Sequence, residues 1–148
     1  MIDKQRLLAE TANNELFRFL GIEVVEATPE RVVLQMEVTP KVHQYTGVMN
    51  GGISVYLAES AASIGVVVGA DLEKVTPVGI EINANHLRAV SKGLITAVAE
   101  PIHTGRTISV WKIEITDRRG KLVCTSRITL LSQKRVGYRA DDAAGLSE

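Results

Sequence analysis

Apolar and polar residues alternate over much of the chain, and one long apolar run near the middle breaks the alternation. Val32, Leu34, Met36 and Val38 alternate with Val33, Gln35 and Glu37, and Trp111, Ile113 and Ile115 alternate with Lys112, Glu114 and Thr116. A period of two marks half-buried strands. The pattern predicts strands over 22–27, 31–39, 75–89, 94–101, 106–116 and 121–131. Thr28-Pro29-Glu30, Ser91-Lys92-Gly93, His103-Thr104-Gly105 and Asp117-Arg118-Arg119-Gly120 supply turn chemistry between them. Leu7, Leu8, Ala12, Leu16 and Phe19 recur at helical spacing, so 3–19 reads as one short amphipathic helix capped by Asp3 and ended by Gly21.

The apolar run, ISVYLAESAASIGVVVGA, follows Asn50-Gly51-Gly52. A helix with no broad polar face is a buried one. One long buried helix must be wrapped, and the only wrapper available is a curved antiparallel sheet of the six strands. The expected class is α+β: a six-stranded sheet around a long helix, preceded by a short N-terminal helix. With 148 residues the chain suits one domain, placed at 1–133, followed by a flexible tail at 134–148.

Charge and composition then remove several classes. Lys plus Arg (17) equals Asp plus Glu (17), which argues against a nucleic-acid partner. The single cysteine, Cys124, allows no intrachain disulfide and no metal-ligand spacing, and reads as a small buried hydrophobe. The opening MIDKQRLLAE has no apolar stretch behind a basic region, and 53–70 is short for a bilayer span and carries Ser54, Glu59, Ser60 and Ser63. The expectation is a cytoplasmic protein with no membrane partner.

The segment His43-Gln44-Tyr45-Thr46-Gly47-Val48-Met49-Asn50-Gly51-Gly52, with Leu57-Ala58-Glu59-Ser60 after it, resembles the hotdog-fold acyl-CoA thioesterases. Within them it is most similar to the phenylacetate-pathway and hydroxybenzoyl-CoA type and to the enterobactin proofreading thioesterase. Gly79 to Arg88 and His103 to Thr107 extend the resemblance over residues 15 to 133. It implies the hotdog fold and hydrolysis of an acyl-CoA or acyl-carrier-protein thioester, with no cofactor beyond the coenzyme A of the substrate. One position departs: the family usually has His before the glycine pair, where this chain has Asn50. Asn donates hydrogen bonds but shuttles no proton near neutral pH.

Thioester hydrolysis needs stabilisation of negative charge on the carbonyl oxygen, and a base or nucleophile. Asn50, Gly51 and Gly52 open a helix, where unpaired N–H groups and the helix dipole form an oxyanion hole that glycine lets a substrate approach. Glu59 is a carboxylate inside an apolar helix, costly unless paired or useful. It can attack the carbonyl or activate water. Nine helical residues, about 13 Å, separate Asn50 from Glu59, and they lie about half a turn out of phase. The two halves of the site are therefore expected from two chains of a homo-oligomer, a two-fold dimer with antiparallel helices, alone or paired into a tetramer.

Ser63, one turn beyond Glu59, is a candidate to hold the carboxylate or the water, and Gln44 to bond the carbonyl or Asn50. Arg88, Lys92 and Arg106 are candidates for the coenzyme phosphates. Asn83 and His86 are candidates for the pantetheine or acyl channel. The substrate reading is an aryl or medium-chain acyl group. Two rivals share the fold: a non-catalytic acyl-binding or regulatory protein, which Asn50 keeps open, and a dehydratase, which the absence of His between Asn50 and Ala70 disfavours.

Overall fold

The structure is a computed structural model, and it describes residues 4–134. The elements run α1 (Lys4–Ala12), α2 (Glu15–Leu20), β1 (Ile22–Ala27), β2 (Val32–Val38), α3 (Gly51–Gly69), β3 (Val75–His86), β4 (Gly93–Thr104), β5 (Ile108–Asp117) and β6 (Leu122–Lys134). The strands form one antiparallel six-stranded sheet in the order β1-β2-β4-β5-β6-β3. Apart from Lys134, the expected tail lies outside the described residues, as does Asp3.

Alternation puts Leu34, Met36, Ile95, Ala97, Ala99, Trp111, Ile113, Ile115 and Ile128 on the concave face, all buried. Leu57, Ala58, Ala61, Ala62 and Ile64 of α3 pack into the same core. Small residues bring the helix close to the sheet. At Gly65 a Cβ would lie 2.3 Å from the Trp111 ring, so the indole occupies the space a side chain would take. Cys124 is buried in β6, and desolvation pushes its thiol up.

Three expectations need correction. The segment 3–19 is two helices, because Asn14 turns the chain: its side chain accepts the Phe17 N–H at 2.8 Å and donates to the Thr11 carbonyl at 2.7 Å. Second, α3 is not buried all round. The sheet covers one side, while Tyr56, Glu59, Ser60, Ser63 and Val67 are half-buried beneath α1 and α2. By length and composition this 19-residue helix is also sufficient to cross a bilayer, yet it serves as the core helix of the sheet.

Third, Ser91-Lys92-Gly93 does not close a hairpin. β3 pairs with β6 at one edge and β4 lies in the middle of the sheet, so 87–92 is a crossover. This crossover passes over the start of α3, where the Met49 N–H donates to the Val90 carbonyl at 2.8 Å. The ring nitrogen Nε2 of His43 lies 2.8 Å from the Ser91 carbonyl oxygen and ties the two loops together.

Candidate active site

The N-terminus of α3 lies at the floor of a cleft of about 340 Å3 between the loop before the helix and the crossover. Gln44, Met49, Gly51, Ser54, His86 and Arg88 line it. His86 is the nearest neighbour of the glycine: a Cβ on Gly51 would stand 2.8 Å from His86 Nε2. The imidazole therefore covers a helix start that only glycine leaves open. Gln44 faces the same cleft, its amide donating to Thr46 Oγ1 at 3.0 Å.

Asn50 is the N-cap of α3. Its Oδ1 accepts the Gly52 N–H at 2.8 Å. The expected donor set changes accordingly, because the Gly52 amide is engaged by Asn50. The remaining donors at this tip are the Gly51 N–H and the Asn50 side-chain NH2.

Glu59 and Ser63 share a second cavity, also about 340 Å3, together with Leu8, Phe17, Tyr56 and Val67. Its walls are mostly apolar, and the Phe17 and Tyr56 rings meet edge to face at 6.2 Å. Glu59 lies against β3: a Cβ at Gly79 would fall 2.6 Å from Glu59 Oε1. Gly79 sits beside a bulge in the β3–β6 ladder. A glycine within a strand marks a close approach, and here the approaching group is the carboxylate. Within one chain Glu59 and Gly51 open into different cavities, about 12 Å apart along the helix.

The other candidates separate. Arg88 lies in the cleft with Gly51, and Lys92 lies in an adjoining cleft with Arg118 and Arg119. Arg106 is at the opposite end of α3, beside Gly69 and Ala70, a helix length of about 28 Å from Gly51. It does not join Arg88 and Lys92 within a chain. Asn83 is exposed on β3, donates to Glu81 Oε1 at 3.1 Å and lines neither cavity. Among the described residues no cluster of His, Cys, Asp or Glu is arranged to hold a metal. Sequence reasoning missed Gly79, Arg118 and Arg119. The only available signal was the glycine inside an otherwise regular strand.

A sheet curved round one helix, with a glycine-opened helix start and a carboxylate two turns on, defines a hotdog thioesterase. The thioesterase superfamily profile matches residues 46–124, and the chain belongs to that family. It is 48% identical over 116 residues to a 1,4-dihydroxy-2-naphthoyl-CoA hydrolase of Listeria monocytogenes, covering 78% of this chain and 94% of that one. It is 37% identical over 134 residues to the proofreading thioesterase EntH of Cronobacter turicensis, covering 87% and 96%. A crystal structure of a thioesterase from Haemophilus influenzae superposes with a TM-score of 0.82 at 37% identity, covering 94% of this chain and 96% of that one. The protein is a thioester hydrolase.

Proposed function

We propose that the chain hydrolyses aryl-CoA or medium-chain acyl-CoA at a site shared by two subunits, with Glu59 as the attacking or water-activating carboxylate. The Gly51 N–H and the Asn50 amide of the partner subunit hold the carbonyl oxygen. The observation that carries this reading is the placement of both half-sites along one strand. His86 of β3 covers Gly51, and Gly79 of β3 receives Glu59.

β3 is a 12-residue strand at the edge of the sheet, with Val78 and Ile80 exposed. An uncovered edge of that length is a template for pairing with another strand. In an antiparallel ladder between two copies of β3, setting Gly79 opposite His86 of the partner subunit centres the two-fold axis between Ile82 and Asn83. That register brings each Glu59 to the partner's helix start and closes two equal sites.

The acyl group then enters the cavity beside Glu59. A dry cavity of about 150 Å3 accepts benzene, so about 340 Å3 suits a one- or two-ring aryl group or a medium-length chain. The bicyclic acyl group in the name of the Listeria relative falls within that size. Ser63 is placed to hold the carboxylate or the water. In one route Glu59 attacks the carbonyl carbon and the carbon–sulfur bond breaks, giving an anhydride and the coenzyme thiolate; water then opens the anhydride. In the other, Glu59 takes a proton from water as the water attacks.

Hydrolysis of a panel of acyl-CoAs by Glu59→Gln and Glu59→Ala tests the reading. The expected loss of kcat is at least about 100-fold with the oligomer intact. Activity close to that of the unmodified protein in Glu59→Gln removes the assignment. A single turnover in 18O-water tests for the anhydride: label gained by Glu59 with an unlabelled first product means an anhydride opened at the Glu59 carbonyl, whereas label in the first product means that water attacked the acyl carbon.

A further inference from the structure

The cleft holding Gly51 and Arg88 does not end at the crossover. It shares Ala89 and Val90 with a second cleft of about 200 Å3, lined by Ser91, Lys92, Asp117, Arg118 and Arg119. We propose that this second cleft seats the phosphates of the nucleotide end of coenzyme A, with Lys92, Arg118 and Arg119 as the anion-binding side chains and Arg88 at the junction. The proposal rests on the acyl-CoA reading above and adds two residues on the β5–β6 turn that nothing else assigns.

Charge is the first argument. Four cations converge on these joined clefts, with Asp117 the only carboxylate lining either. Asp117 is already occupied: its Oδ1 accepts the Arg119 N–H at 2.8 Å and the Lys121 N–H at 2.9 Å. The Lys121 amide bond foremost, with the Arg119 amide and the charges of Arg88 and Arg119, holds its carboxyl below the usual range. Asp117 thus serves the turn. Arg88, Lys92, Arg118 and Arg119 form no ion pair among the described residues. The surplus of positive charge is what a nucleotide carrying several phosphate charges requires, and guanidinium forks match phosphate oxygens.

Preorganisation is the second argument. The turn is closed by Gly120 N–H to the Asp117 carbonyl at 2.8 Å and Asp117 N–H to the Lys121 carbonyl at 2.9 Å. The stem of Arg118 reaches over Gly93, where a Cβ would lie 3.7 Å from Arg118 Cδ. His43 pins the facing wall at Ser91. Anchored side chains lose less entropy when they bind a ligand. Continuity is the third argument: with the thioester at Gly51, an extended pantetheine arm runs along Ala89 and Val90 and delivers the phosphates beside Lys92.

The test compares Arg118→Ala, Arg119→Ala and the double variant on two thioesters of one acyl group, the acyl-CoA and the acyl-N-acetylcysteamine, which lacks the nucleotide. Melting temperatures confirm folding. The double variant is expected to raise KM for acyl-CoA about tenfold or more, as loss of charge-assisted phosphate bonds requires, while keeping kcat. The ratio of kcat/KM for acyl-CoA to that for the truncated thioester falls by the same factor. Direct titration with adenosine 3′,5′-bisphosphate is expected to show binding by the unmodified protein and loss of binding in the double variant. An unchanged KM for acyl-CoA, an equal loss on both thioesters, or equal nucleotide binding by both proteins overturns the proposal. Should the unmodified protein cleave neither thioester, the hydrolase reading fails while the nucleotide titration still decides this site.

Discussion

The carboxylate of Glu59 occupies the space that the missing side chain of Gly79 leaves on β3. A methyl group at Gly79 therefore collides with the group proposed to do the chemistry. The obstacle is the end of a flexible side chain, so the fold absorbs the change. Gly79→Ala is expected to leave the melting temperature within a few degrees while lowering kcat about tenfold or more, since a displacement of about 1 Å can cost about 100-fold. Steady-state kinetics beside a melting curve separates the two effects. At the helix tip, Asn50 caps α3 through its Oδ1, which leaves its NH2 as a donor for the proposed site. Asn50→His restores the usual residue of the family and is expected to retain or raise kcat. Losing the cap costs about 1 kcal/mol, read in urea unfolding. A large fall in kcat shows instead that the amide is part of this site. Glu59, proposed as the reacting carboxylate, stands out in the sequence because a lone charge in an apolar run is chemically anomalous. Arg118 and Arg119 were not, because charges in a turn look like any solvated surface until the crossover is seen beside them.

Among the elements, the strands were the most legible, because period-two patterning survives whatever the strands pair with. The order of the strands was not. Turn residues at Ser91-Lys92-Gly93 look the same whether they close a hairpin or end a crossover, and only the pairing of β3 with β6 decides. The break between α1 and α2 escaped for a related reason. No glycine or proline marks it, and the apolar spacing continues through an asparagine that caps the second helix. Asn14→Ala removes that cap and is expected to cost about 1 kcal/mol. The packing of α3 on the sheet is less forgiving. Gly65→Ala places a methyl 2.3 Å from a ring carbon of Trp111, and neither the helix nor the buried indole has room to withdraw. The expected cost is about 1–3 kcal/mol, measured as a shift of the urea midpoint with an unchanged slope.

For the whole molecule, the separation of Gly51 and Glu59 along α3, about 12 Å, decides the assembly. Sequence spacing predicted that one chain cannot bring them together, and the fold keeps them in separate cavities. If the site spans two copies of β3, two inactive variants must rescue each other. Glu59→Ala spares the helix start, and Gly51→Val spares the carboxylate while driving its side chain into His86. In a mixed dimer one site inherits both defects and the other inherits neither. Random reassortment makes half the dimers mixed, so activity returns to about a quarter of that of the unmodified protein. Unfolding and refolding the variants together, against each refolded alone, provides the measurement. A site contained in one chain predicts no recovery at any mixing ratio. Placing proline at Ala84 interrupts the β3 ladder, and is expected to abolish the recovery along with the dimer. The same assay thus reports both the sharing of the site and the seam that creates it.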